Sequence, residues 1–178
     1  MKRLLFTGCV LLIALVGLDP INAEEKETRV LEWDELMPPD WDPFAKLNEL
    51  LEGQGDEMLD DSPETIAIME EYLAAGSDAP VVAALDGQRV RLPGYAVPLD
   101  YEGIEISEFL LVPYFGACIH VPPPPANQIV FVKSQQTHKL DGLFEPVWVT
   151  GTLRTQAVEN DIGHAGYTMI ATEIIPYE

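Results

Sequence analysis

The chain has few cysteines, few histidines and little positive charge, and each shortage excludes something. Its 178 residues hold 2 cysteines, 3 histidines and 10 lysines and arginines, against 30 aspartates and glutamates, for a formal charge of −20. Cysteines only at positions 9 and 118 do not make a disulfide framework. So large a negative excess repels nucleic acid phosphates and anionic lipid, and neither is an expected partner. No apolar run reaches the roughly 20 residues that a membrane-spanning helix needs. No internal repeat is evident.

What is present begins at the N-terminus. Lys2 and Arg3 precede an apolar stretch from Leu4 to Leu18, and Ile21-Asn22-Ala23 offers a branched residue at −3 and a small one at −1. This is the pattern of a Sec-type signal peptide over residues 1–23, with cleavage after Ala23. The expected mature protein is soluble and exported to the periplasm, with no membrane span after cleavage. Loss of Lys2, Arg3 and Asp19 leaves 8 basic and 29 acidic residues, a formal charge of −21. The 155 residues that remain suit one ordinary domain. Cys118 is then the only cysteine, which is unusual in an oxidising compartment.

Residues 24–61 are acidic and carry Trp33, Leu36, Met37, Trp41 and Phe44 among the charges. A solvated linker has no need of two tryptophans, so this reads as an extended arm whose aromatics dock on the domain. Its end, 52–61, reads as a hinge. Residues 62–178 then form a helix and a β-domain. Ser62 can cap the helix, Pro63 suits its first turn, and Ile66, Met69 and Leu73, with neighbouring Ile68 and Tyr72, recur at helical spacing up to Gly76. From Pro80 the pattern changes to five short β-runs: VVAALDGQRVRLPGYAVPLD, ISEFLLVPYF, NQIVFVKS, EPVWVTGTLRT and AGYTMIATEIIPYE. The first has a turn at Asp86-Gly87, then Val90 and Leu92 inward and Arg89 and Arg91 outward. Pro93-Gly94 reads as a further turn, and Gly151 as a bulge or tight bend. Val147, Val149 and Leu153 share a face. The expected fold is mainly β, a small closed or partly closed barrel of OB-like shape with an N-terminal arm and one short helix.

The segment FLLVPYFGACIHVPPPPANQ, residues 109–128, carries most of the chemistry. Side chains alternate along an extended strand, so Cys118 and His120 share a face. A thiolate and an imidazole together favour zinc or copper(I). Two ligands do not complete a structural site, and the further candidates are His138 and His164, with Asp141, Glu159 and Asp161 as oxygen donors. Two other readings stand beside this one. Cys118 can be a buried small hydrophobe among Tyr114, Phe115 and Ala117. It can also be a nucleophile with His164 as its base, although no peptidase signature surrounds it. Pro122 to Pro125 form a stiff polyproline II edge that blocks strand addition or docks in an aromatic groove of a partner. Asn127 and Gln128 are expected to bond backbone groups and close the loop. Arg89 and Arg91 are expected to pair with the acidic arm, with a carboxylate-binding role as the alternative.

WDELMPPDW (33–41), LDGQRVRLPGYAVPLD (85–100), FLLVPYFGACIHVPPPPANQ (109–128) and VWVTGTL (147–153) resemble the bacterial domain of unknown function 3299 family over nearly the whole mature chain. The resemblance implies an exported protein of unestablished activity that serves a transport system for metals or similar cargo. The expected function is an exported accessory or binding protein handling zinc or copper(I) for a membrane transporter or another exported protein. The alternatives are a non-catalytic interaction module with a structural Cys118, and a thiol-dependent enzyme.

Overall fold

Side-chain alternation along five of these runs builds a barrel. The structure, a computed structural model, describes residues 27–42, 45, 48, 49, 62–99, 105–117, 124–139 and 144–177. The signal peptide, Cys118, His120, Pro122, Pro123 and Asp141 lie outside the described residues.

A two-residue strand β1 (Arg29–Val30) precedes helix α1 (Pro63–Ser77) and strands β2 (Arg89–Pro98), β3 (Glu105–Val112), β4 (Val130–Lys139), β5 (Glu145–Arg154), β6 (Val158–Glu159), β7 (His164–Ala165) and β8 (Tyr167–Pro176). β2 pairs antiparallel with β3 and with β5, β3 with β4, and β5 with β8. β4 and β8 run parallel, Val130 opposite Tyr167. These pairings close a mixed barrel of five strands, β2-β3-β4-β8-β5 and back to β2. That order, with the third and fifth strands parallel, is the OB arrangement expected from the spacing.

Each long strand sends alternate residues into the barrel. Val90, Leu92, Leu111, Val130, Val132, Val147, Val149, Leu153, Tyr167 and Met169 are wholly buried in one apolar cluster there. The intervening residues Val97, Leu110, Val112 and Phe131 face outward and are buried too, in a second cluster with Ala117, Phe144 and Ala165. Segments after β3, before β5 and at the β6–β7 hairpin thus lid the outer face of β3 and β4.

Two glycines mark close approaches. A Cβ on Gly151 would fall 2.4 Å from the Ile170 carbonyl oxygen, where the β5–β8 register shifts by a bulge. Gly94 is not in a turn: β2 runs through Pro93-Gly94, and a Cβ there would lie 2.8 Å from the Val112 carbonyl oxygen. Pro93 falls between the stretch of β2 that β1 pairs (Val90, Arg91) and the stretch that β3 pairs from Tyr95 onward. A residue without an N–H is tolerated in that gap.

The arm is part of the core. Leu31 and Leu36 are wholly buried. The Trp33 indole N–H donates to the Pro93 carbonyl at 2.7 Å, and Gln128 Nε2 donates to the Trp33 carbonyl at 2.8 Å. Asn127 Nδ2 donates to the Pro80 carbonyl at 2.9 Å, so both amides after the proline run bind backbone, as their positions suggest. Arg29 pairs with Glu35 and Arg89 donates to Thr28 Oγ1, but Arg91 lies instead over the Trp148 ring, 4.8 Å from its centre. Helix α1 is capped by Ser62, whose Oγ accepts from the Thr65 N–H. Its apolar stripe is only partly covered: Ile66 and Met69 are exposed, whereas Ile68, Tyr72, Leu73 and Gly76 are half-buried. No helix among the described residues is long and apolar enough to cross a membrane.

Candidate functional site

One end of the barrel carries a cleft of about 420 Å³, within the usual range for ligand pockets. Four separate stretches wall it: the arm with Asp40, Trp41, Asp42 and Glu49; the last turns of α1 with Tyr72 and Gly76; the Pro124–Ala126 turn; and Gly163-His164.

Local chemistry fixes His164 there. Asn160 Oδ1 accepts from the backbone N–H groups of Ile162 and Gly163 at 3.0 and 3.2 Å, a side-chain turn that folds β6 back onto β7. Glu159 stands opposite His164 in that hairpin. Ala165 is buried in the second cluster, so alternation turns His164 outward, with its side chain 46% exposed. Its Nε2 lies 3.9 Å from Glu159 Oε1, too far for a hydrogen bond.

The two histidines proposed beside Cys118 and His120 separate. His138 lies opposite Ile106 and Val130 opposite Leu111, five residues along β3, about 17 Å at 3.3 Å per residue. His164 precedes Tyr167, the residue level with Val130. His138 therefore stands at the far end of β4, in a shallow groove with Ile170–Ile174. The two rings do not reach one ion, since zinc–nitrogen bonds are about 2 Å long. Among the described residues no group of three or more His, Cys, Asp and Glu is placed to hold a metal ion.

Ala117 is wholly buried in the same apolar cluster as Ala165, the neighbour of His164. Pro124 and Pro125 wall the cleft with His164 itself. Both flanks of residues 118–123 thus sit at the His164 end, and His120 is four residues from Pro124, at most about 14 Å of extended chain.

Tyr167 was not among the sequence candidates. Its hydroxyl donates to the Leu36 carbonyl at 2.8 Å and accepts from the Val82 N–H at 2.6 Å, tying arm, connector and β8 together. Burial pushes the phenol pKa above its ordinary 10.0, and the Val82 N–H opposes this less strongly. Tyr167, Met169 and Ala171 alternate along the fifth β-run and face inward, a signal that could have marked Tyr167 as buried but not named its partners.

A model of the family described as "Protein of unknown function (DUF3299)" matches residues 33–176. A crystal structure of a DUF3299 family protein from Pseudomonas aeruginosa PAO1 is 40% identical, with a TM-score of 0.64, over 85% of this chain and 97% of that one. No curated protein matches the chain.

Proposed function

The chain belongs to the DUF3299 family, and from that premise we propose that it is an exported binding protein that holds a zinc or copper(I) ion through Cys118, His120 and His164. It delivers that ion to a membrane transport system. The observation that carries this reading is that Pro124, four residues after His120, walls the cleft with His164, while Ala117, the residue before Cys118, packs in the cluster that holds Ala165, the neighbour of His164. A thiolate and two imidazoles suit a soft or borderline cation. Asp40, Asp42 and Glu49 along the cleft draw cations toward it. An OB barrel commonly binds oligonucleotides over its second and third strands. Here that outer face, on β3 and β4, is covered by the chain's own Ala117, Phe144 and Ala165, and the charge of −20 argues the same way.

The test is titration of the mature protein with zinc and with copper(I) under reducing conditions. One tight site is expected, weakened by Cys118→Ala, His120→Ala and His164→Ala and unchanged in His138→Ala. Equal affinity of Cys118→Ala and the wild type removes the reading. One observation favours a second reading, a non-catalytic interaction module: Ala117, the residue before Cys118 in sequence, is wholly buried. In that case the folded protein resists alkylation of Cys118 and shows no tight metal site. The mass of the protein recovered from cells, compared with that of a chain starting at Glu24, tests export.

A further inference from the structure

A second cleft, of about 530 Å³, adjoins the first. Ser77, Ala126 and His164 line both, so they form a saddle between two hollows of a single trough. Each hollow is large enough for part of a small molecule. The trough follows the end of α1. Tyr72 stands in the first hollow and Asp78 in the second, six residues further on, about 9 Å at 1.5 Å per residue.

Each hollow has its own carboxylates: Asp40, Asp42 and Glu49 in the first, Asp78 and Glu159 in the second. Among the described residues no lysine or arginine lines either one. Arg154, beside the lining Thr155 in sequence, is paired with Asp86 at 3.5 Å, and Lys46, between Ala45 and Glu49, lies outside the described residues. The surface toward the saddle is apolar, from Leu73, Pro125 and Ala126. Trp41 and Tyr72 add rings, whose faces attract ammonium groups. At the saddle the Ser77 hydroxyl donates to the Leu73 carbonyl at 3.0 Å, which leaves its oxygen as an acceptor.

These features select the occupant. A bare ion with bonds of about 2 Å fills neither hollow. A molecule with separated positive charges, donors only, joined by methylenes, matches both hollows and the saddle. The chain's charge of −20 concentrates such cations around it. We propose that the trough binds a linear aliphatic polyamine, with one terminal ammonium among Asp40, Trp41 and Tyr72, methylenes over Ser77 and Ala126, and the other terminal ammonium between Asp78 and Glu159. This binding needs no ion at Cys118.

The experiment is calorimetric titration of the metal-free protein with spermidine. Saturable binding is expected, and it persists in Cys118→Ala, so this proposal and the metal reading fail separately. Putrescine, which is shorter, should bind several-fold more weakly, and butylamine, with a single charge, more weakly still. Asp40→Asn, Asp78→Asn and Glu159→Gln, all at exposed residues, should fold normally and each weaken spermidine about threefold. Glu108→Gln, which removes the same charge from β3, should leave the affinity unchanged. The proposal is overturned by absence of saturation at millimolar spermidine, by equal binding of butylamine or of trilysine, or by a triple variant at positions 40, 78 and 159 that binds as tightly as Glu108→Gln.

Discussion

Leu110 and Leu111 are adjacent on β3 and both wholly buried, yet they belong to different cores. Leu111 points into the barrel, where five strands close around it. Leu110 points out, under a lid made of Ala117, Phe144 and the β6–β7 hairpin. Closure seals the first core with hydrogen-bonded ladders on every side. Connecting segments seal the second, and the same segments carry His164 and lead into Cys118. Stability and candidate chemistry are therefore assigned to opposite faces of the same strands, and small residues at the lid can be altered without opening the barrel.

This contrast can be broken or sharpened by substitution. The largest loss is expected for Leu111→Ala, about 4 kcal/mol by denaturant unfolding, because a closed barrel cannot collapse onto the cavity. Gly151→Ala should cost about 3 kcal/mol, since the new methyl meets the Ile170 carbonyl backbone. Leu110→Ala should cost less than Leu111→Ala, about 2 kcal/mol, because the lid can settle. It should also weaken metal binding, an effect Leu111→Ala lacks while folded. Equal losses at positions 110 and 111 would erase the distinction between the cores. Tyr167→Phe should cost about 1 to 2 kcal/mol by leaving the Leu36 carbonyl and Val82 N–H unpaired. Its phenol pKa is raised in the folded state, so its contribution is complete below about pH 10 and lost as pH climbs through the higher folded value. The wild type should show this alkaline loss in its melting temperature, and Tyr167→Phe should not. The smallest effect is expected for His164→Ala, within about 0.5 kcal/mol in stability because its ring is half-exposed, with the loss appearing in metal affinity alone.

The barrel was legible because period-two alternation is a local property. Val147, Val149 and Leu153 reported their face directly, and Gly151 reported a bulge. Pro93-Gly94 misled because that dipeptide usually marks turns, whereas here it relieves the approach of β2 to Val112. The stripe on α1 misled as well: helical spacing says which residues share a face but not whether another surface meets it. The cleft was hardly legible. Its walls come from residues near 41, 72, 125 and 164, and only the closed fold brings them together. His138 and His164 were both candidate further ligands in sequence, and the register of β3 and β4 separates them.

The hydroxyl of Tyr167 also constrains how the chain can fold. It joins residues 131 positions apart, and the Gln128–Trp33 bond spans 95. Contacts of such separation form late, after much loop entropy has been surrendered. β8 lies between β4 and β5 and also holds the arm, so the first and last parts of the molecule are secured by the same strand. Synthesis must reach residue 167 before the Leu36 carbonyl has its hydroxyl donor, and a polypeptide stopped short of that strand has no closed ring.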